Sequence, residues 1–91
     1  MAMTIELVPD LSHCIETVAR REHEQTVKKL LVTDVPDEGL IEKAEALRLF
    51  LEGTDLRRLR AESEEHLIEG REVRFIISIK NGEMCYQMIV S

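Results

Sequence analysis

Two alternating runs joined by Asn81-Gly82 constrain this chain more than any other feature. From Arg71 to Lys80, the residues Val73, Phe75, Ile77 and Ile79 fall on one side; from Glu83 onward, Met84, Tyr86, Met88 and Val90 do the same. Asn-Gly is the dipeptide that best tolerates the two positive φ angles of a type I′ turn. A two-residue loop pairs Lys80 with Glu83. It then sets Ile79 opposite Met84, Ile77 opposite Tyr86, Phe75 opposite Met88 and Val73 opposite Val90. All of these apolar side chains then share a face, and a slip of one residue would send one strand's set to the other side. The spacing predicts an antiparallel hairpin with a defined register.

Upstream, Met3, Ile5 and Leu7 alternate with Thr4 and Glu6 and suggest a short strand that stops at Pro9. Asp10 or Ser12 can cap a first helix running to about Val32, with a stripe through Leu11, Ile15, Ala19, Thr26 and Leu30 that Glu22 and His23 interrupt. Pro36, Asp37 and Glu38 open a second helix, and Gly53 suits its C′ position. Its row is Leu40, Ala44, Leu47 and Leu51, flanked by Ile41 and Phe50, with Leu49 almost opposite. Thr54 and Asp55 cap a third helix with the buried row Leu56, Leu59, Ser63 and Leu67, and Gly70 ends it. The order is β-α-α-α-β-β, a two-layer α+β domain in which a small sheet packs on three helices. Residues 1–91 make one domain, and neither a repeat nor a low-complexity segment divides them.

The totals narrow the function classes. A chain of 91 residues buries roughly 60–65% of the surface its unfolded form exposes. Its net stability is on the order of 5 kcal/mol, leaving little for a large pocket or a long strained loop. Aromatic residues are 3% of the chain (Phe50, Phe75, Tyr86), too few for stacked recognition of single-stranded bases. The net charge of −6 repels phosphate backbones and anionic membranes at long range. No apolar stretch approaches the ~20 residues that span a bilayer. Cys14 and Cys85 lack CxxC spacing and read as reduced thiols, which points to the cytoplasm.

Chemistry-bearing clusters are sparse. His13, Cys14, His23, His66 and Cys85 lack the short-range ligand pair that zinc sites use, and His13 and Cys14 diverge by ~100° on a helix. His23 reads as a boundary histidine. Glu62, Glu64 and Glu65 point around a helix instead of converging. No Ser or Cys has a base partner at a telling distance in sequence, and no glycine pattern matches a phosphate loop. Neither a metal nor a cofactor is expected, and catalysis is not.

The basic cluster Arg57-Arg58-Arg60 is the best hint among the charges. It opens the third helix, where the macrodipole favours acids, and Arg58–Glu62 and Arg60–Glu64 offer only partial local compensation. Arg57, Arg58, Arg71 and Arg74 would be the binding residues if a small anion is recognised, and the same arginines would serve a nucleic-acid accessory role. The leading expectation is a non-catalytic protein-protein interaction module that forms a homodimer or meets another protein. Met3, Ile76, Ile89, Leu49 and Phe50 are its candidate interface residues. The apolar second helix and the open sheet edges carry that reading.

Overall fold

The computed structural model describes residues 4–91. They form β1 (Thr4–Leu7), α1 (Ile15–Val32), α2 (Glu38–Gly53), α3 (Leu56–Ile68), β2 (Val73–Lys80) and β3 (Glu83–Val90). The strands make one antiparallel sheet in the order β1-β2-β3. Three helices pack on the face that carries Ile5, Leu7, Val73, Phe75 and Ile77. This is the two-layer α+β arrangement that the element order implies.

The hairpin has the register required by its alternation, from Lys80 opposite Glu83 to Val73 opposite Val90. Asn81 and Gly82 have φ of 54° and 79°, the paired left-handed conformation of a type I′ turn. Two further backbone bonds, at 2.9 and 3.0 Å between Glu72 and Ser91, extend the ladder past Val90. β1 takes the free side of β2, with Ile5 opposite Ile77 and Leu7 opposite Phe75. That register puts its two apolar residues on the helix-covered face and Thr4 and Glu6 on the other.

The start of α1 differs from the sequence expectation. Asp10 Oδ1 accepts the amides of Ser12 and His13 at 2.8 and 2.7 Å, which closes a turn ahead of the helix. A short acidic side chain that bonds its neighbours' amides competes with helical geometry, and Cys14, not Asp10 or Ser12, becomes the N-cap. Leu11, read as part of the buried stripe, therefore lies on the turn and is 65% exposed. Of the rest of the stripe, Ile15, Ala19 and Thr26 are buried and Leu30 is half-buried. Thr26 tolerates burial because its hydroxyl donates to the Glu22 carbonyl at 2.8 Å.

Asp37 caps α2 by accepting the Leu40 amide at 3.2 Å. The helix is most buried at Ala46, Leu47 and Phe50, while Leu40, Ala44 and Leu51 are only half-buried. The buried residues gather in its C-terminal half, where Phe50 reaches the sheet. Phe50 has no exposed surface and meets Phe75 at 6.4 Å and Tyr86 edge-on at 5.7 Å between ring centroids. Its place among the candidate interface residues is thus corrected: it is the centre of the core. Gly53 is also corrected, since it is the last helical residue and Thr54 ends α2 in an extended conformation that needs no glycine.

Asp55 caps α3 through the Arg58 amide at 3.1 Å, and Leu59 and Ser63 are its buried residues, with Leu56 and Leu67 alongside. At the other end Gly70 adopts φ of 85°. The Arg71 amide then reaches the His66 carbonyl and the Gly70 amide the Leu67 carbonyl, both at 3.0 Å. These are the paired bonds of a Schellman cap, which turns the chain directly into β2.

Candidate functional site

Among the described residues, β2 is paired on both sides, whereas β3 is paired only with β2. In an antiparallel ladder, successive residues of a strand direct their N–H and C=O groups to opposite sides. The closing pair Lys80–Glu83 and the doubly bonded pair Glu72–Ser91 set the phase for β3. Odd-numbered residues from Glu83 to Ser91 bond to β2. The backbone groups of Met84, Tyr86, Met88 and Val90 therefore point outward from the sheet. This edge runs the full length of β3 with no proline, lysine, arginine or bulge along it. Such features are what natural sheets use to discourage strand addition. The opposite edge, on β1, spans four residues among those described, carries Glu6 and leads to Pro9.

The helices cover the inner face of the sheet unevenly. Val73, Phe75 and Ile77 on β2 are fully buried, yet Met84 and Met88 on β3 are half-buried and Tyr86 is 36% exposed. The helical layer thus stops short of the β3 edge. On the outer face, Ile76 and Ile89 are half-buried, as is Leu49 on α2. Met3 lies outside the described residues.

A second apolar surface sits at the corner between α1 and α2. Leu31 and Val32 are 80% and 82% exposed, and Val35 in the connecting loop and Ile41 in the first turn of α2 are also exposed. The sequence reading placed none of these four, nor Met84, Tyr86 and Met88, at an interface. The run Leu30-Leu31-Val32 continuing across a loop to Val35 was the available signal for the corner. For β3 no local signal existed, because its alternation shows which face is inner but not how far the helices reach.

The four candidate arginines do not assemble at one place. Arg57 and Arg58 lie in the first turn of α3, whereas Arg71 and Arg74 follow its far end, with about 18 Å of helix between. Arg58 pairs with Glu62 at 3.5 Å and Arg60 with Glu64 at 3.0 Å. Arg71 pairs with Glu69 and donates from Nη1 to His66 Nδ1 at 2.7 Å. Arg74 stands 3.8 Å from Glu6. Arg71 and Arg74 do share a groove of about 390 Å³, which Val8, Pro9, Leu67 and Val73 also line. Asp10 and Glu72 stand there with them, so two acids face the two bases.

The remaining polar groups are local. Cys14 Sγ lies 3.3 Å from Thr17 Oγ1, and this bond, with help from the Arg60 charge, lowers the thiol below the ordinary cysteine range. Cys85 is exposed, and both thiols are free. Among the described residues no three His, Cys, Asp or Glu side chains converge as a metal site, and no helix is long and apolar enough to cross a membrane.

The fold and its surfaces define a small α+β domain whose sheet is open along one long apolar strand. A protein-family model matches residues 1–90, nearly the whole chain, and the chain belongs to that family. The match establishes membership and extent and brings no activity with it. Among curated proteins and among solved structures, nothing matches significantly.

Proposed function

We propose that this protein is a non-catalytic interaction module of the cytoplasm that works as a homodimer. One observation carries the reading: the β3 edge offers outward backbone groups at Met84, Tyr86, Met88 and Val90 beside inner-face side chains left partly in water. An edge of this length, with Glu83 at its turn end as the one charged side chain, is a template for another strand. The exposed corner of Leu31, Val32, Val35 and Ile41 offers a separate apolar contact for a further protein. Light scattering on a sizing column, followed over a hundredfold dilution from ~200 μM, tests the reading. A mass of two chains that falls toward one on dilution supports it, and a single-chain mass at every concentration overturns it.

The anion-binding alternative narrows to Arg71 and Arg74 in their groove, since Arg57 and Arg58 stand at the other end of α3. Inorganic phosphate is the simplest probe. A rise in melting temperature at millimolar phosphate that R71A abolishes supports this alternative, and no rise removes it. A nucleic-acid accessory role through the same arginines would show binding that falls steeply with salt.

A further inference from the structure

We propose that two copies of the chain join β3 to β3, antiparallel, about a two-fold axis at Gln87, so that two three-stranded sheets become one of six strands. This rests on the homodimer reading and specifies the site and register of that dimer.

The hydrogen-bond phase restricts the choices. Only the even-numbered residues of β3 have backbone groups free at the edge, so even residues must bond to even residues of the second copy. Every symmetric register centred on a residue satisfies this, and those that overlap most of β3 are centred at residue 86, 87 or 88. Centring at 86 drives the ladder into the turn, with Gly82 opposite Val90. Centring at 88 leaves Glu83 and Met84 without partners. Centring at 87 pairs the whole segment from Glu83 to Ser91 with itself, Met84 opposite Val90 and Tyr86 opposite Met88, each pair occurring twice.

Side chains agree with that register. Tyr86 beside Met88 of the second copy joins an aromatic ring to a thioether, a favourable cross-strand pair, and covers inner-face surface that the helices leave in water. The lone charged side chain of the strand, Glu83, falls opposite Ser91, and the two copies of Glu83 sit at opposite ends of the ladder, about 27 Å apart. No like-charged side chains meet. On the outer face Cys85 falls opposite Ile89, and Gln87 meets its own copy across the axis. A strand edge alone is smaller than the ~800 Å² per partner of a standard interface, so the dimer should dissociate in the micromolar range.

Single cysteines placed by this register test it, made in a C14S background and oxidised mildly at ~100 μM. Odd residues form the closer, non-bonded pairs across the new ladder, which suit a disulfide. Q87C should link to its own copy, and I89C should link to the native Cys85 of the second copy. The C14S parent should stay unlinked, because Cys85 lies four positions from its own copy. Independently, Q87K and Q87E should each weaken self-association roughly fivefold, by like charge on the axis, and mixing the two should restore a mixed dimer. Gln87 is exposed on the outer face, so both variants keep the monomer fold, which circular dichroism verifies. A dimer by light scattering that Q87C and I89C fail to trap, and that Q87K leaves unchanged, overturns the register while sparing the homodimer. A single-chain mass for the unmodified protein overturns both.

Discussion

Two side chains mark the extremes of polar pairing in this protein. Thr54 Oγ1 at the α2–α3 corner is closed off from water and has no hydrogen-bond partner. Its backbone is extended, a conformation that suits a β-branched residue. T54V keeps the shape and removes the unpaired hydroxyl, so it should stabilise the fold by about 1 kcal/mol, read as a higher urea midpoint. Asp10 works in the opposite sense. Its carboxylate accepts the His13 amide foremost, and the Ser12 amide as well, which holds its pKa below the ordinary carboxylate value. A folded-state pKa below the unfolded one adds stability that is present above the unfolded value and disappears as pH falls through the folded value. Wild type should therefore exceed D10N in stability at pH 7, and the gap should close as the pH falls below the ordinary Asp range. Urea midpoints of the two proteins from pH 7 to pH 2.5 measure it. The same Asp10 turn is why the reading of Leu11 as a helical core residue failed, since a local carboxylate–amide contact outweighed a helical stripe one residue deep at its end.

Elements are delimited here by a few backbone positions. Gly82 holds φ of 79° with open space around its Cβ position, so any cost of a side chain there is conformational, not steric crowding. An alanine in the left-handed region costs roughly 1–2 kcal/mol. G82A should lower stability by about that much while keeping the hairpin register, since the apolar alternation of both strands still fixes it. Amide contacts between strands, measured by NMR, would show the register unchanged, and a shifted register would contradict the argument. α3 is bounded with equal clarity, by the Asp55 cap at one end and the Gly70 Schellman turn at the other. Its caps and its buried row were legible because each depends on residues within one turn of the helix. The end of α2 was not legible in the same way: Gly53 resembles a C′ residue in sequence, but Thr54 in an extended conformation already redirects the chain.

At the scale of the whole molecule, one ring ties the layers together. Phe50 on α2 contacts Phe75 on β2 and Tyr86 on β3, and it is fully buried. F50A removes both aromatic contacts and leaves a cavity where α2 meets β2 and β3. Such truncations cost about 3–5 kcal/mol, comparable to the whole stability of a domain this small. F50A should be largely unfolded at 25 °C by circular dichroism, whereas a folded monomer with impaired association would mean that Phe50 belongs to an interface after all. The principal extents of 45 × 27 × 21 Å describe an elongated body. In an elongated body of few residues much surface stays outside the core, and the corner at Leu31 and the edge at β3 are where that surface is apolar.

Taken alone, the amino-acid order determined what depends on near neighbours: the hairpin and its register, the opening of α2 at Pro36–Glu38, the Asp55 cap, the Gly70 stop and the α+β class. These follow from turn chemistry and from periodicities of two and 3.6, which act within a few residues. Only the tertiary structure decided which amphipathic surface met which. Phe50 went inside because α2 lies over β2 and β3, Arg57 and Arg71 were parted by the length of α3, and β3 was left open because β1 took the other side of β2. Contacts between distant segments depend on how layers overlap, and a pattern of apolar residues says that a surface must be covered without saying by what.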